Sequence, residues 1–202
     1  MTAVAAPSHG NRRQMEIYLQ PGEHFVGDAS HRIRTLLGSC VSVTLWNPLQ
    51  RVGAMSHFLL AARGAVGSGA GSGAVSGFTE PGSLGALPHA LDGRYGDEAL
   101  RLMLAELGRK KVVGAQCEAK IFGGGDMFPA RDASGPLAIG RRNGEAARSL
   151  LQSHGIEVTS ESLFGDGHRQ IVFDIATGHV WSRQVKPPLA VAVQTRETRQ
   201  SR

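Results

Sequence analysis

The sequence lacks most of the features that announce a protein's class. Its two cysteines, Cys40 and Cys117, cannot build a disulfide framework. No C-x-x-C pair and no H-E-x-x-H run suggests zinc, and the eight histidines are scattered, so no metal is expected. Aromatic residues make up only 5% of the 202 residues. No apolar run approaches the roughly 20 residues of a membrane-spanning helix, so membrane insertion is not expected. The opening MTAVAAPSHGNRRQ has no apolar stretch before a cleavage site and does not read as a secretory signal. Neither G-x-S-x-G nor paired carboxylates suited to glycosidic chemistry stand out. These absences point to a reducing, cytoplasmic protein in which one thiol is chemically available.

Charge is present, but at the ends. The formal net charge is +5, yet residues 183–202 contribute a net +4 and Arg12 with Arg13 a further +2. Residues 14–182 are left at −1. A nucleic-acid-binding domain carries its basic face on the folded body, often with aromatics interleaved. This neutral, aromatic-poor body argues against nucleic acid as a partner. At 41% hydrophobic, the chain can bury one sizeable core and is expected to form one domain with tails.

Residues 1–14 read as a disordered tail, 15–185 as the folded domain and 186–202 as a basic flexible tail. Residues 64–77 hold six Gly and three Ser among fourteen, the composition of a flexible loop. Alternation predicts strands at Met15–Leu19, Val41–Trp46 and Val52–Leu60, the last two forming a hairpin about Asn47-Pro48. Helical spacing is clear over Asp97–Leu107, with Gly108 as its stop. A second helix is expected to start at Asn143 as its cap, present Ala146, Ala147, Leu150 and Leu151, and end at Gly155. Strands are also read at Gln116–Phe122, Ile156–Val158, Ile171–Ile175 and His179–Val185. Turn-linked strands outnumber helices, so the expected class is α+β with largely antiparallel sheets.

Two segments suggest chemistry. The turn Leu37-Gly38-Ser39-Cys40 runs into a strand, with His57 seventeen residues beyond Cys40. If the hairpin forms, the start of one strand lies beside the end of the other, and Cys40 and His57 become neighbours. An imidazolium beside a thiol stabilises the thiolate, and the same histidine can later protonate a leaving amine. Spacing alone still favours the duller reading, because cysteine is among the most buried residue types. Cys117, placed mid-strand with no turn before it, reads as a packed thiol. The second segment, Phe122-Gly123-Gly124-Gly125-Asp126, faintly resembles a phosphate-binding loop. It lacks Gly-Lys-Ser/Thr and a following helix start, so a tight turn or a site wall is the better reading.

Several ordered segments together resemble the CheD family, the chemoreceptor glutamine deamidases of bacterial chemotaxis. They are Thr35–Val43, Gly53–Leu60, Arg94–Leu100, Ala119–Met127, Ile139–Asn143 and Arg169–Asp174 with Thr177-Gly178. The resemblance covers roughly residues 15–185. It implies a single-domain sandwich of β-sheets flanked by helices, similar to a toxin-deamidase, cysteine-hydrolase fold. It further implies Cys40 as nucleophile, His57 as base and Thr35 as the third member, with Ser39 and Gly38 at the oxyanion or site wall. No cofactor is implied. The implied substrates are glutamine side chains on the cytoplasmic helices of methyl-accepting receptors, and the further partner is a CheC-type phosphatase where one exists. The chain departs from the family pattern at Ser162-Leu163-Phe164-Gly165, and its 64–77 insert is long. A non-catalytic adaptor that docks on receptors or on such a phosphatase is the competing reading.

Overall fold

The computed structural model describes residues 14–63, 90–127 and 137–185, so the 64–77 loop and the expected tails at 1–13 and 186–202 lie outside the described residues. Among the described residues the chain forms nine strands and two helices. In order they are β1 Met15–Tyr18, β2 His24–Asp28, β3 His31–Leu37, β4 Val41–Asn47, β5 Val52–Ser56, α1 Gly96–Arg109, β6 Glu118–Gly123, α2 Leu137–Ser153, β7 Val158–Leu163, β8 His168–Asp174 and β9 His179–Val185. A short 3-10 turn, Gly114–Gln116, precedes β6.

Two mixed sheets form. The first has the order β1-β3-β8-β9 and the second β2-β5-β4-β6-β7. Five of the seven pairings are antiparallel; β1–β3 and β6–β7 are parallel. Each parallel pair needs a connection that crosses over. For β6–β7 it includes α2; between β1 and β3 the chain detours through β2 in the other sheet.

Side-chain alternation sorts the core into two slabs. Ile33 and Leu37 of β3, with Ile171 and Phe173 of β8, meet Met55 of β5 and Phe122 of β6 between the sheets. The opposite face of the second sheet presents Val41, Val43, Leu45, Ala54, Ala119 and Ile121 to the helices. There α1 supplies Ala99, Leu100, Met103 and Leu107, and α2 supplies Ala147 and Leu151. The layers therefore run sheet, sheet, helices, with β4 buried along nearly its whole length. At the end of the sandwich away from Cys40, Trp46 Nε1 donates to the Ile175 carbonyl and Lys120 Nζ to that of Gly178, each at 2.8 Å.

Several boundaries differ from the sequence reading: the strand expected at Ile156–Val158 runs instead over Val158–Leu163 and that at Ile171–Ile175 over His168–Asp174, and four further shifts have visible causes. β5 stops at Ser56, because His57 turns its backbone bonds toward residues 22–23. Cys117 precedes β6, since the 3-10 turn closes on its N–H. α1 runs past Gly108 to Arg109, and the chain turns at Lys111, whose φ is +60°. α2 begins at Leu137, so Asn143 is not a cap but a buried residue inside the helix. β2 and β3 were not expected at all. Gln14, assigned to the tail, donates through Nε2 to Asp174 Oδ1 at 2.9 Å.

The inter-sheet slab sets a stability expectation. Phe173 is fully buried, and Phe173→Ala should lower the unfolding free energy by about 3–5 kcal/mol through lost transfer energy and a cavity. Leu49→Ala, at a side chain 93% exposed, should change it by less than about 0.5 kcal/mol. Urea titrations of the two variants decide the matter.

Candidate active site

β3 ends at Leu37 in the first sheet, and Gly38-Ser39-Cys40 carries the chain into β4 of the second. All three carbonyls of this crossing are held by separate donors. Gly125 N–H donates to Gly38 O at 2.9 Å, and Gly124 N–H to Cys40 O at 2.8 Å. Asn143 Nδ2 donates to Ser39 O at 3.2 Å and to Leu59 O at 2.7 Å. The glycine turn can close so tightly only without side chains. Gly123 has φ +114°, and a Cβ there would lie 2.2 Å from Cys40 O. On α2, a Cβ at Gly140 would lie 2.7 Å from Gly124 O, so the helix backbone rests directly on the turn and brings Asn143 to the crossing. The Gly123–Gly125 segment is thus a wall of the site built around Cys40.

His57 occupies an opening in the β4–β5 ladder. The strands pair from Asn47–Val52 to Thr44–Met55, then again at Val41–Phe58, where both backbone bonds form at 3.1 and 3.0 Å. Between these points Val43 N–H goes instead to Ser56 Oγ at 3.4 Å. The His57 backbone is clamped from the other side, by its own N–H on Glu23 O at 2.9 Å and by Gly22 N–H on its carbonyl at 2.7 Å. Its register puts it on the face that carries Met55 into the inter-sheet slab. Cys40 packs against the same slab, so the two side chains share a face and lie diagonally across the Val41–Phe58 pair. Diagonal neighbours of this kind are typically about 7–8 Å apart.

Thr35 reaches the site from the opposite sheet. On β3, Ile33, Thr35 and Leu37 point inward and the alternate residues outward, which carries the Thr35 hydroxyl across the sandwich. Its Oγ1 lies 2.8 Å from His57 Nδ1 and donates to the Leu19 carbonyl at 2.8 Å. A hydroxyl has one hydrogen and a carbonyl can only accept. Both contacts hold together only if His57 Nδ1 carries the proton, which leaves Nε2 as the basic nitrogen. His57 Nε2 is buried without a hydrogen-bond partner among the described residues.

Burial also sets the charges. Desolvation pushes the Cys40 thiol above its ordinary pKa, with its own backbone N–H opposing. Desolvation lowers His57, with the Leu19 carbonyl and the Glu23 carboxylate pulling weakly the other way. At neutral pH the site therefore rests as thiol and neutral imidazole. Cys117 is buried, its thiol pushed up to about 11 by desolvation, as a packed thiol should be.

The structure thus joins Thr35 to His57 by a hydrogen bond, sets Cys40 on the same face, and places Gly38 and Ser39 in the pinned crossing. Among the described residues, the N–H groups of Ser39 and Cys40 have no backbone acceptor. Two residues of the surroundings escaped the sequence reading. Asn143 is one; read as a helix cap, it carried no sequence signal for this place. The other is Arg169, whose Nη1 and Nη2 donate to Gly123 O at 3.1 Å and Phe164 O at 3.0 Å, bracing the glycine turn. No group of three or more metal-ligating side chains occurs among the described residues.

A thiol, an imidazole oriented through Nδ1 and adjacent amides without a backbone acceptor make up the equipment of thiol-dependent acyl transfer on a ββα scaffold. Residues 83–184 match the family described as CheD chemotactic sensory transduction. The chain is 57% identical over 176 residues to a probable chemoreceptor glutamine deamidase CheD 2 from Albidiferax ferrireducens, covering 87% of this chain and 91% of that one. It is 36% identical over 171 residues to a probable chemoreceptor glutamine deamidase CheD 1 from Chromobacterium violaceum, covering 83% and 77%. A probable chemoreceptor glutamine deamidase CheD from Desulforamulus reducens is 31% identical over 177 residues, covering 87% and 95%. The chain belongs to the CheD family. A match of 176 residues in a chain of 202 necessarily spans Thr35, Cys40 and His57.

The resting charges predict the pH profile of the thiol. Alkylation of Cys40 by iodoacetamide, followed by peptide mass spectrometry, should rise with pH through a midpoint above 9.0. A plateau already reached at pH 7 would instead mean a preformed thiolate–imidazolium pair.

Proposed function

We propose that this chain is a chemoreceptor glutamine deamidase, a protein-glutamine glutaminase of bacterial chemotaxis. It hydrolyses glutamine side chains of methyl-accepting receptors to glutamate and ammonia. The observation that carries the reading is the Thr35–His57 hydrogen bond, which leaves Nε2 basic on the face that holds Cys40. The printed names of the relatives supply the substrate.

In the proposed reaction His57 Nε2 takes the Cys40 proton as Sγ attacks the carboxamide carbon. The carbonyl π electrons move to oxygen, and the oxyanion is met by the Cys40 N–H, at the edge of the Ser39–Gly38 wall. His57 returns its proton to the nitrogen, the C–N bond breaks, and ammonia leaves a Cys40 thioester. Water then attacks the thioester with His57 again as base. Collapse expels the thiolate, which regains the proton, and the product is glutamate. Thr35 accepts from Nδ1–H throughout and so opposes rotation of the ring. The chemistry needs no cofactor. Each turnover turns a neutral amide on a receptor helix into a carboxylate, which changes repulsion between helices and creates a methylatable glutamate.

We infer further that the scaffold is similar to the toxin-deamidase, cysteine-hydrolase fold, and that residues 15–185 act as one cytoplasmic domain. A CheC-type phosphatase is the expected second partner, as the family resemblance implies. No described helix is long and apolar enough to cross a membrane.

The test uses a purified receptor cytoplasmic fragment, with ammonia release and peptide mapping as readouts. Wild-type protein should convert specific glutamines and Cys40→Ala none. His57→Ala should lose at least about 10²–10⁴-fold in rate. Thr35→Val should lose about 10–100-fold, the worth of one buried hydrogen bond of about 1–3 kcal/mol, and Thr35→Ser far less. Conversion by Cys40→Ala at the wild-type rate would overturn the mechanism. Binding by both proteins without conversion by either would favour the adaptor.

A further inference from the structure

Among the side chains that hold the Gly38–Cys40 crossing, one acts on a peptide group with a chemical role. The Ser39–Cys40 peptide contains the Ser39 carbonyl and the Cys40 N–H, and no peptide bond among the described residues is cis. In a planar trans peptide these two groups point in opposite directions. Whatever fixes the Ser39 carbonyl therefore aims the Cys40 N–H. Asn143 does this: it is 1% exposed, and its Nδ2 spends its two hydrogens on Ser39 O and Leu59 O. Leu59 lies two residues beyond His57, so one amide ties the peptide before the thiol to the segment after β5 that carries the imidazole. The helix that delivers Asn143 rests on the glycine turn through Gly140, so the tether starts from a packed backbone.

We propose that Asn143 is the positioning residue of the oxyanion site. It holds the Ser39–Cys40 peptide plane so that the Cys40 N–H faces the developing oxyanion. The inference rests on the deamidase reading for its natural substrate, but its physical content is separable. A tether of this kind matters to reactions that pass through a tetrahedral oxyanion. It matters little to displacement at saturated carbon, which forms none.

The experiment compares two reactions of the same thiol in the full-length chain. Acetylation of Cys40 by p-nitrophenyl acetate proceeds through a tetrahedral oxyanion, expels p-nitrophenolate and leaves a thioester. Alkylation by iodoacetamide expels iodide from saturated carbon. Both are followed at Cys40 by peptide mass spectrometry, with Cys40→Ala as the blank. Asn143→Ala should slow acetylation about 10–100-fold, somewhat less than deletion of an oxyanion donor itself, while alkylation stays within about twofold. On the receptor fragment the same variant should lower kcat by a similar factor and leave KM within about twofold. Asn143→Asp, of equal size but presenting oxygen to both carbonyls, should show the same selectivity and serves if the alanine variant fails to fold. Parallel loss of both reactions, or no loss of acetylation in a folded variant, would overturn the proposal. If the wild type converts no receptor glutamine, the deamidase reading fails, yet the ratio of acetylation to alkylation still decides the role of Asn143.

Discussion

Thr35 Oγ1 has a single hydrogen to give, and the Leu19 carbonyl takes it at 2.8 Å. Everything in the site's proton logic follows from that small constraint. The hydroxyl must accept from His57 Nδ1, the ring must keep its proton there, and Nε2 is left as the basic nitrogen. Because Thr35 lies on β3 of one sheet and His57 just beyond β5 of the other, the bond also ties the two sheets at this end of the sandwich. Carboxylates or amides play the orienting part in other thiol and hydroxyl sites. A hydroxyl brings no charge, and that suits the surroundings. A carboxylate between these sheets would be a buried ion whose charge would favour imidazolium, whereas here burial holds the ring neutral.

Burying an imidazole has a consequence for stability. The folded pKa of His57 lies below its ordinary 6.5, so the unfolded chain binds the extra proton more readily. Stability from this residue is fully present above the unfolded value and is lost as pH falls through the window between that value and the folded one. Asp174, also held below its ordinary value by Gln14, Arg32 and the Ala176 N–H despite its burial, contributes in the same sense at lower pH. Folding therefore weakens in acid and prefers the state in which His57 is neutral.

Much of this was legible in the residues. The alternation through Val41–Trp46 and the turn at Asn47-Pro48 identify the β4–β5 hairpin, and the hairpin alone predicts that Cys40 and His57 become neighbours. The Phe122–Asp126 glycines read correctly as a tight turn. What stayed hidden has physical causes. β3 alternates cleanly, but one of its inward residues is Thr35, so the residue with a role in the site breaks the apolar signal that marks a strand. β2, with Gly27 and His24, has too few apolar positions to announce itself. Asn143 reads as a helix cap because asparagine usually is one; only tertiary packing reveals that its donors serve carbonyls from elsewhere. The parallel pairings depend on where crossover segments dock, and no local pattern encodes that.

The parts of the site come from every layer of the molecule. Thr35 belongs to the first sheet, Cys40 and His57 flank strands of the second, and Asn143 belongs to the helical layer. The peptide that joins the sheets is gripped by amides from the β6 turn and from α2. No single hairpin or helix pair holds a working subset, so the chemistry exists only once all three layers have docked. That arrangement also explains why so much of the positioning falls to backbone groups and glycines. Backbone donors keep their geometry without side-chain entropy to lose, and three carbonyls in succession can be held only if the neighbouring chain approaches without side chains in the way. The site is thus a property of how the layers close on one short crossing, with its few reactive side chains placed where that closure leaves them.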